Sequence, residues 1–96
     1  MATSTIETIR DSVRAGRHRF SQHALNELHA DNLHPVDAES ALLTGRVTRT
    51  ENAGPDLPGP RYSVVGTAAD LVTRVTVICR FEPPRQLLVI TCYDIE

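Results

Sequence analysis

The groups with the most chemistry in this 96-residue chain are its ten arginines, four histidines and two tyrosines; lysine is absent. His23 and Glu27 stand four residues apart, the spacing that puts two side chains on one helical face. A carboxylate beside an imidazole holds one ring tautomer, and such a pair suits general acid–base work at an RNA 2′-hydroxyl. The same spacing on an ordinary helix surface makes an ion pair worth roughly 0.3–0.5 kcal/mol. His18, His23, His29 and His34 cluster in one stretch, but no two are four apart and no cysteine is near. Zinc-binding pairs favour that spacing on one helix, so neither a metal site nor another cofactor is expected.

A second set lies in the C-terminal half, where Arg61, Ser63, Arg74, Thr76, Thr91 and Tyr93 alternate with apolar residues. Arginine presents a planar fork of donors that matches phosphate, hydroxyls bond its oxygens, and a tyrosine stacks on a base or transfers a proton. On an ordinary wet sheet face the same residues serve strand propensity and cation–π contact.

The first half of the chain must position His23. Ser4-Thr5-Ile6-Glu7 reads as a capping box, Ile6, Ile9 and Val13 mark one face, and Gly16 supplies the stop, which predicts a helix over 5–15. The basic stretch Arg17-His18-Arg19-Phe20 leads to Ser21, the cap of a second helix with Ala24, Leu25 and Leu28 on its buried side and His23 in its first turn. Pro35 opens a third helix at its first position, with Asp37 in the first turn, Ala38, Ala41 and Leu42 inward, and Gly45 at its end.

Beyond Gly45 the period changes. Arg46 to Glu51 reads as a polar, weak strand; Asn52 to Pro60, with three prolines and two glycines, reads as a loop; strands follow near 61–67, 71–81 and 86–94. A Glu82-Pro83-Pro84-Arg85 turn sets Phe81 opposite Gln86, so Val75 faces Cys92, Val77 faces Ile90 and Cys79 faces Leu88. The other side then pairs Arg74 with Tyr93, Thr76 with Thr91, Ile78 with Val89 and Arg80 with Leu87. An Ala69-Asp70 turn sets Val64 opposite Val75, which adds Tyr62 and Val64 to the apolar side and Arg61, Ser63 and Val65 to the polar one. The two cysteines are not cross-strand partners in this register, so both are expected as buried free thiols.

Phe20-Ser21-Gln22-His23-Ala24, Leu33-His34-Pro35-Val36-Asp37 with Gly45, Arg61-Tyr62 with Gly66, and Ile90-Thr91-Cys92-Tyr93 together resemble the bacterial domain of unknown function 4258 over nearly the whole chain. That family is similar to the RelE-like and barnase-like ribonuclease folds. The resemblance implies a toxin component of a toxin–antitoxin pair that cleaves RNA without a metal, and it singles out His23, Arg61, Thr91 and Tyr93. The family usually carries arginine four residues after the motif histidine and again near the end of that helix; this chain has Glu27 and Asp31. Each exchange replaces a phosphate contact by repulsion. Glu27 then either serves as a general base beside His23 or marks a site that no longer turns over.

The expectation is one domain over 1–96, of α+β class: N-terminal helices on one face of a C-terminal antiparallel sheet of about four strands, RelE-like. The leading functional reading is a small metal-independent ribonuclease with His23, Glu27, Arg61 and Tyr93 as catalytic residues and Arg74, Thr91, Ser63 and Thr76 binding substrate. Its partners would be RNA and an antitoxin protein. The alternative is a non-catalytic binding or dimerisation module that uses the same face or the edge strand 46–51 to pair with a partner or a second copy. A net charge of −2 argues against broad nucleic-acid binding but leaves room for a local basic patch. No apolar run approaches the roughly 18–20 residues of a membrane span and the N-terminus lacks a signal-peptide profile, so a cytoplasmic protein is expected.

Overall fold

A computed structural model of the chain describes residues 4–51, 59–82 and 86–94. The elements in chain order are α1 (Thr5–Arg14), β1 (His18–Phe20), α2 (Gln22–Ala30), α3 (Pro35–Thr44), β2 (Arg46–Glu51), β3 (Arg61–Thr67), β4 (Arg74–Glu82) and β5 (Gln86–Asp94). Three helices pack on a five-stranded mixed sheet of order β1-β5-β4-β3-β2, in which β1 runs parallel to β5 and the remaining pairs are antiparallel. The class is α+β, with five strands where four are expected. The extra strand is β1, whose three residues are too few to show an alternating pattern and which exists because β5 offers it an edge. The expected turn at 83–85 and most of the loop at 52–58 fall outside the described residues.

Local chemistry accounts for the helices. Ser4 accepts the Glu7 N–H at 3.3 Å, although the Glu7 carboxylate turns to Arg10 at 2.8 Å instead of reciprocating. Ser21 accepts the Ala24 N–H at 3.0 Å, and Asp37 accepts the His34 N–H at 2.8 Å with Pro35 at the first helical position. Ile9, Val13, Ala24, Leu28, Ala38, Ala41 and Leu42 enter the core, as their spacing requires, whereas Leu25 stays exposed. Between β1 and α3, His18 Nε2 lies 2.5 Å from Glu39 Oε2.

The sheet register departs from expectation in two places. Val64 lies opposite Val77 and not Val75, because β3 and β4 are joined by a longer connection than a two-residue turn. Asp70 organises it by accepting from the Thr73 hydroxyl and from the Val72 and Thr73 N–H groups, contacts that hold its carboxyl below the usual range. A shift of two leaves every side chain on its expected face. In the β4–β5 pair Glu82, not Phe81, lies opposite Gln86, and a bulge leaves Ile90 without a partner between Val89 and Thr91. The core therefore receives Leu87 and Val89, while Leu88, expected opposite Cys79, pairs with Arg80 and turns to the other face. The freed Ile90 carbonyl accepts the Ser21 hydroxyl at 2.9 Å, where β1 gives way to α2.

The helical layer is seated by glycine. A Cβ on Gly66 would stand 2.1 Å from the Ala41 carbonyl oxygen, and one on Gly45 would stand 2.5 Å from the same atom and from the Val65 carbonyl oxygen. Gly66→Ala is expected to lower stability by about 1–3 kcal/mol, read as a fall in the urea midpoint; an unchanged midpoint would mean that α3 can back away at no cost.

Cys79 and Cys92 are buried free thiols. Burial pushes both up to about 12, with smaller contributions from Cys92 on Cys79 and from Glu27 on Cys92. Because the folded values lie above the ordinary 9.0, this contribution to stability is whole at neutral pH and is lost as pH rises from 9.0 toward 12. Thermal melts from about pH 8 to 11 should show falling stability, less steep in Cys79→Ala and Cys92→Ala proteins; parallel curves would assign the alkaline loss to other groups.

Candidate nucleic-acid interface

The strands sort their side chains between a helix-covered inner face and an open outer face. Cross-strand partners share a face, so the register itself writes the outer one. One row runs Arg46, Val65, Thr76, Tyr93; the next runs Arg49, Ser63, Ile78, Thr91; a third holds Glu51 beside Arg61; and Leu88 pairs with both Arg80 and Arg19. Arg74 pairs with Thr67 at the end nearest the first row. The six site residues expected here from sequence, Arg61, Ser63, Arg74, Thr76, Thr91 and Tyr93, are on this face, whereas Leu87 and Val89, also expected on it, face the core. Arg61, Arg74 and Tyr93 are exposed, Ser63 and Thr91 are half-buried, and Thr76 is 4% exposed, so its hydroxyl is largely withdrawn from solvent.

They do not form one cluster. Arg61 and Arg74 stand at opposite ends of the β3–β4 pair, six residues apart along β3, roughly 20 Å at 3.3 Å per residue. Tyr93 lies opposite Thr76, which makes Tyr93 and Arg74 diagonal neighbours about 7–8 Å apart. Ser63 and Thr91 flank Ile78 at mid-sheet. His23 and Glu27 belong to the helical layer. Their pair forms, with Nε2 3.0 Å from Oε1, although the approach is not an aligned hydrogen bond. Glu27 lies near the inner-face Cys92, and Asp31, the C-cap of the same helix, accepts the Asp94 N–H at 3.1 Å. Among the described residues no hydrogen bond or ion pair joins His23 or Glu27 to Arg61, Arg74, Thr91 or Tyr93.

The outer face carries arginines beyond those singled out from sequence. With Arg19, Arg46, Arg49 and Arg80 it holds six of the ten, against two acids among the described residues, Glu51 and Glu82. The face is thus four charges positive on a chain of net −2, and the remaining residues sum to six negative. Glu82 takes Arg19 at 2.8 Å and Arg80 at 3.8 Å, and Glu51 takes Arg49 at 2.9 Å. Arg46, Arg61 and Arg74 have no ion-pair partner among the described residues. Sequence reasoning missed Arg19 with its strand. It missed that Arg46 and Arg49 share a face because they stand three positions apart, where strict alternation would send them to opposite faces; the irregularity at Thr48 restores them to one.

Among the described residues no three His, Cys, Asp or Glu side chains converge as metal ligands, and no helix is long and apolar enough to cross a membrane. A scan against protein-family models finds no match to this chain, and searches of the curated proteins and of the solved structures likewise return none.

A face this positive creates a local field that the net charge conceals. The protein is expected to bind a heparin column at pH 7 despite its negative charge, and an Arg46→Gln, Arg61→Gln, Arg74→Gln protein to elute at lower salt. Co-elution of the two would mean that the arginine arrangement generates no usable field.

Proposed function

We propose that this chain is a small RNA-binding protein of RelE-like architecture that holds the phosphodiester backbone on the outer face of its sheet. The observation that carries this reading is the gathering of six arginines against two acids, among the described residues, on one open face of an acidic chain. Guanidinium forks suit phosphate oxygens, three of the six are engaged by no acid among the described residues, and the exposed Tyr93 ring offers a surface on which a base can stack. The negative charge elsewhere orients the molecule toward a polyanion. The resemblance to domain of unknown function 4258 points to the same ligand, and under the toxin reading an antitoxin would cover this face with acidic side chains.

A cleavage step is the second reading, favoured by the diagonal approach of Tyr93 to Arg74. The 2′-hydroxyl oxygen would attack its own phosphorus while its proton passes to a base. The 5′-oxygen would leave with a proton, giving a 2′,3′-cyclic phosphate and a 5′-hydroxyl end, while a guanidinium carries charge on the phosphorane. The placement of His23 and Glu27 in the helical layer favours binding without turnover.

Fluorescence anisotropy with matched RNA and DNA tests the first reading. The wild type should bind RNA more tightly than DNA, and Arg61→Gln should weaken binding across sequences and reduce the salt slope by about 1. Absence of RNA binding even at about 50 mM salt would sink it. Incubation in EDTA separates the two: cyclic-phosphate ends that vanish in Tyr93→Phe and Arg74→Gln establish cleavage, and intact RNA establishes a binding module.

A further inference from the structure

At the end of the sheet where β2 begins, three elements each bring a guanidinium to one open cavity of about 500 Å3: Arg10 from α1, Arg46 from β2 and Arg74 from β4, with Gly45, Gly66 and Thr67 in its wall. The size lies within the range of small-molecule pockets. Arg10 is held in place, its Nη1 2.8 Å from Glu7 Oε1 and its Nη2 2.9 Å from the Gly45 carbonyl oxygen, while its Nε has no partner. That second bond matters for an anion. The cavity borders the C-terminus of α3, the negative end of a helix dipole, and Arg10 occupies the carbonyl that would repel the ligand. Arg46 and Arg74 are exposed and have no ion pair among the described residues. Among the described residues Glu7 is the one acid bonded to any of the three arginines.

We infer that this cavity is a binding site for a phosphate monoester. Three guanidiniums match a dianion with three terminal oxygens better than the single charge and two free oxygens of a backbone diester. A volume of about 500 Å3 also leaves room for the sugar that carries the group. The cavity closes the row Arg46, Val65, Thr76, Tyr93, so a strand of RNA on the outer face would place its terminal phosphate there; that step rests on the RNA-binding reading, whereas the monoester site does not. The group can come from the 5′ end of an RNA, its 3′ end, or a free nucleotide.

Calorimetric titration of the full chain separates these sources. The probes are adenosine 5′-monophosphate, adenosine, and one 2′-O-methyl pentanucleotide, which cannot be cleaved, bearing a 5′-phosphate, a 3′-phosphate or neither. Phosphorylated probes should bind at least about tenfold more tightly than their unphosphorylated counterparts, and Arg46→Gln and Arg74→Gln should each remove most of that preference. Arg14→Gln, one helical turn beyond Arg10 and outside the cavity lining, should leave it unchanged, with circular dichroism verifying that each protein is folded. Equal binding of all three oligonucleotides, together with failure of adenosine 5′-monophosphate to bind, overturns the cavity site and leaves the RNA face standing. Binding of adenosine 5′-monophosphate, but not adenosine, without binding of any oligonucleotide supports the site and overturns the RNA reading. No binding of any probe overturns both.

Discussion

The approach of α3 to the β2–β3 side of the sheet leaves no room for a single extra carbon. Ala41 presses its backbone on Gly66, and its carbonyl oxygen accepts the Gly45 N–H at 2.9 Å. Dense packing transmits any change at such a contact, because the interior has few voids to absorb it. With α3 this low, Ala38, Ala41 and Leu42 disappear into the core, Thr44 takes the Thr67 N–H, and Asp37 takes the Ala69 N–H. The chain from Gly66 to Ala69 is thereby fastened along the helix. That fastening also fixes the start of β2 beside the end of β3, which is what brings Arg46 and Arg74 to a common corner with Arg10.

A second constraint acts at the opposite side of the sheet. The bulge at Ile90 turns Leu87 and Val89 inward and leaves one carbonyl unpaired, an expense that a buried polar group avoids only by finding a donor. Ser21 supplies that donor while also capping α2, so one hydroxyl joins the end of β1, the irregularity of β5 and the first turn of the helix. Asp31 then bonds the Asp94 N–H at the far end of α2. The helix is held along the upper half of β5, where β1 no longer covers it. This arrangement keeps His23 and Glu27 with the helices and leaves Thr91 and Tyr93 to the open face.

The two constraints together divide the molecule electrically. Apolar contacts place the helices and their acids on one side, and the strand register collects arginine on the other. Among the described residues a pair of glutamates tempers this face but engages only Arg19, Arg49 and Arg80, leaving the positive charge concentrated on Arg46, Arg61 and Arg74. An overall charge of −2 describes neither side. Long-range attraction of a polyanion depends on such a distribution, and a net-positive face with an aromatic ring on it suits a flexible phosphate-bearing chain.

Much of this was legible without coordinates, and the legible part has a common cause. Caps at Ser4 and Ser21, Pro35 at the first position of α3, the helical spacing of Ile9 with Val13 and of Ala24 with Leu28, and the alternation through Tyr62, Val64, Val75 and Val77 are local patterns, and local patterns decide element order and which face of β3 and β4 is buried. The contact of His23 with Glu27 is equally local, as is the exposure of Arg61, Arg74 and Tyr93 on the outer face. What tertiary structure alone decided depends on residues remote in sequence. A three-residue strand becomes β1 only beside β5, a bulge at Ile90 forms only where Ser21 can satisfy it, and the irregularity at Thr48 is set by pairing with β3. Each of these changes which face a side chain occupies, because alternation has a period of two and one extra residue reverses it. For that reason the sequence could name the arginines, but only the paired strands could gather six of them on one face and close three around a cavity.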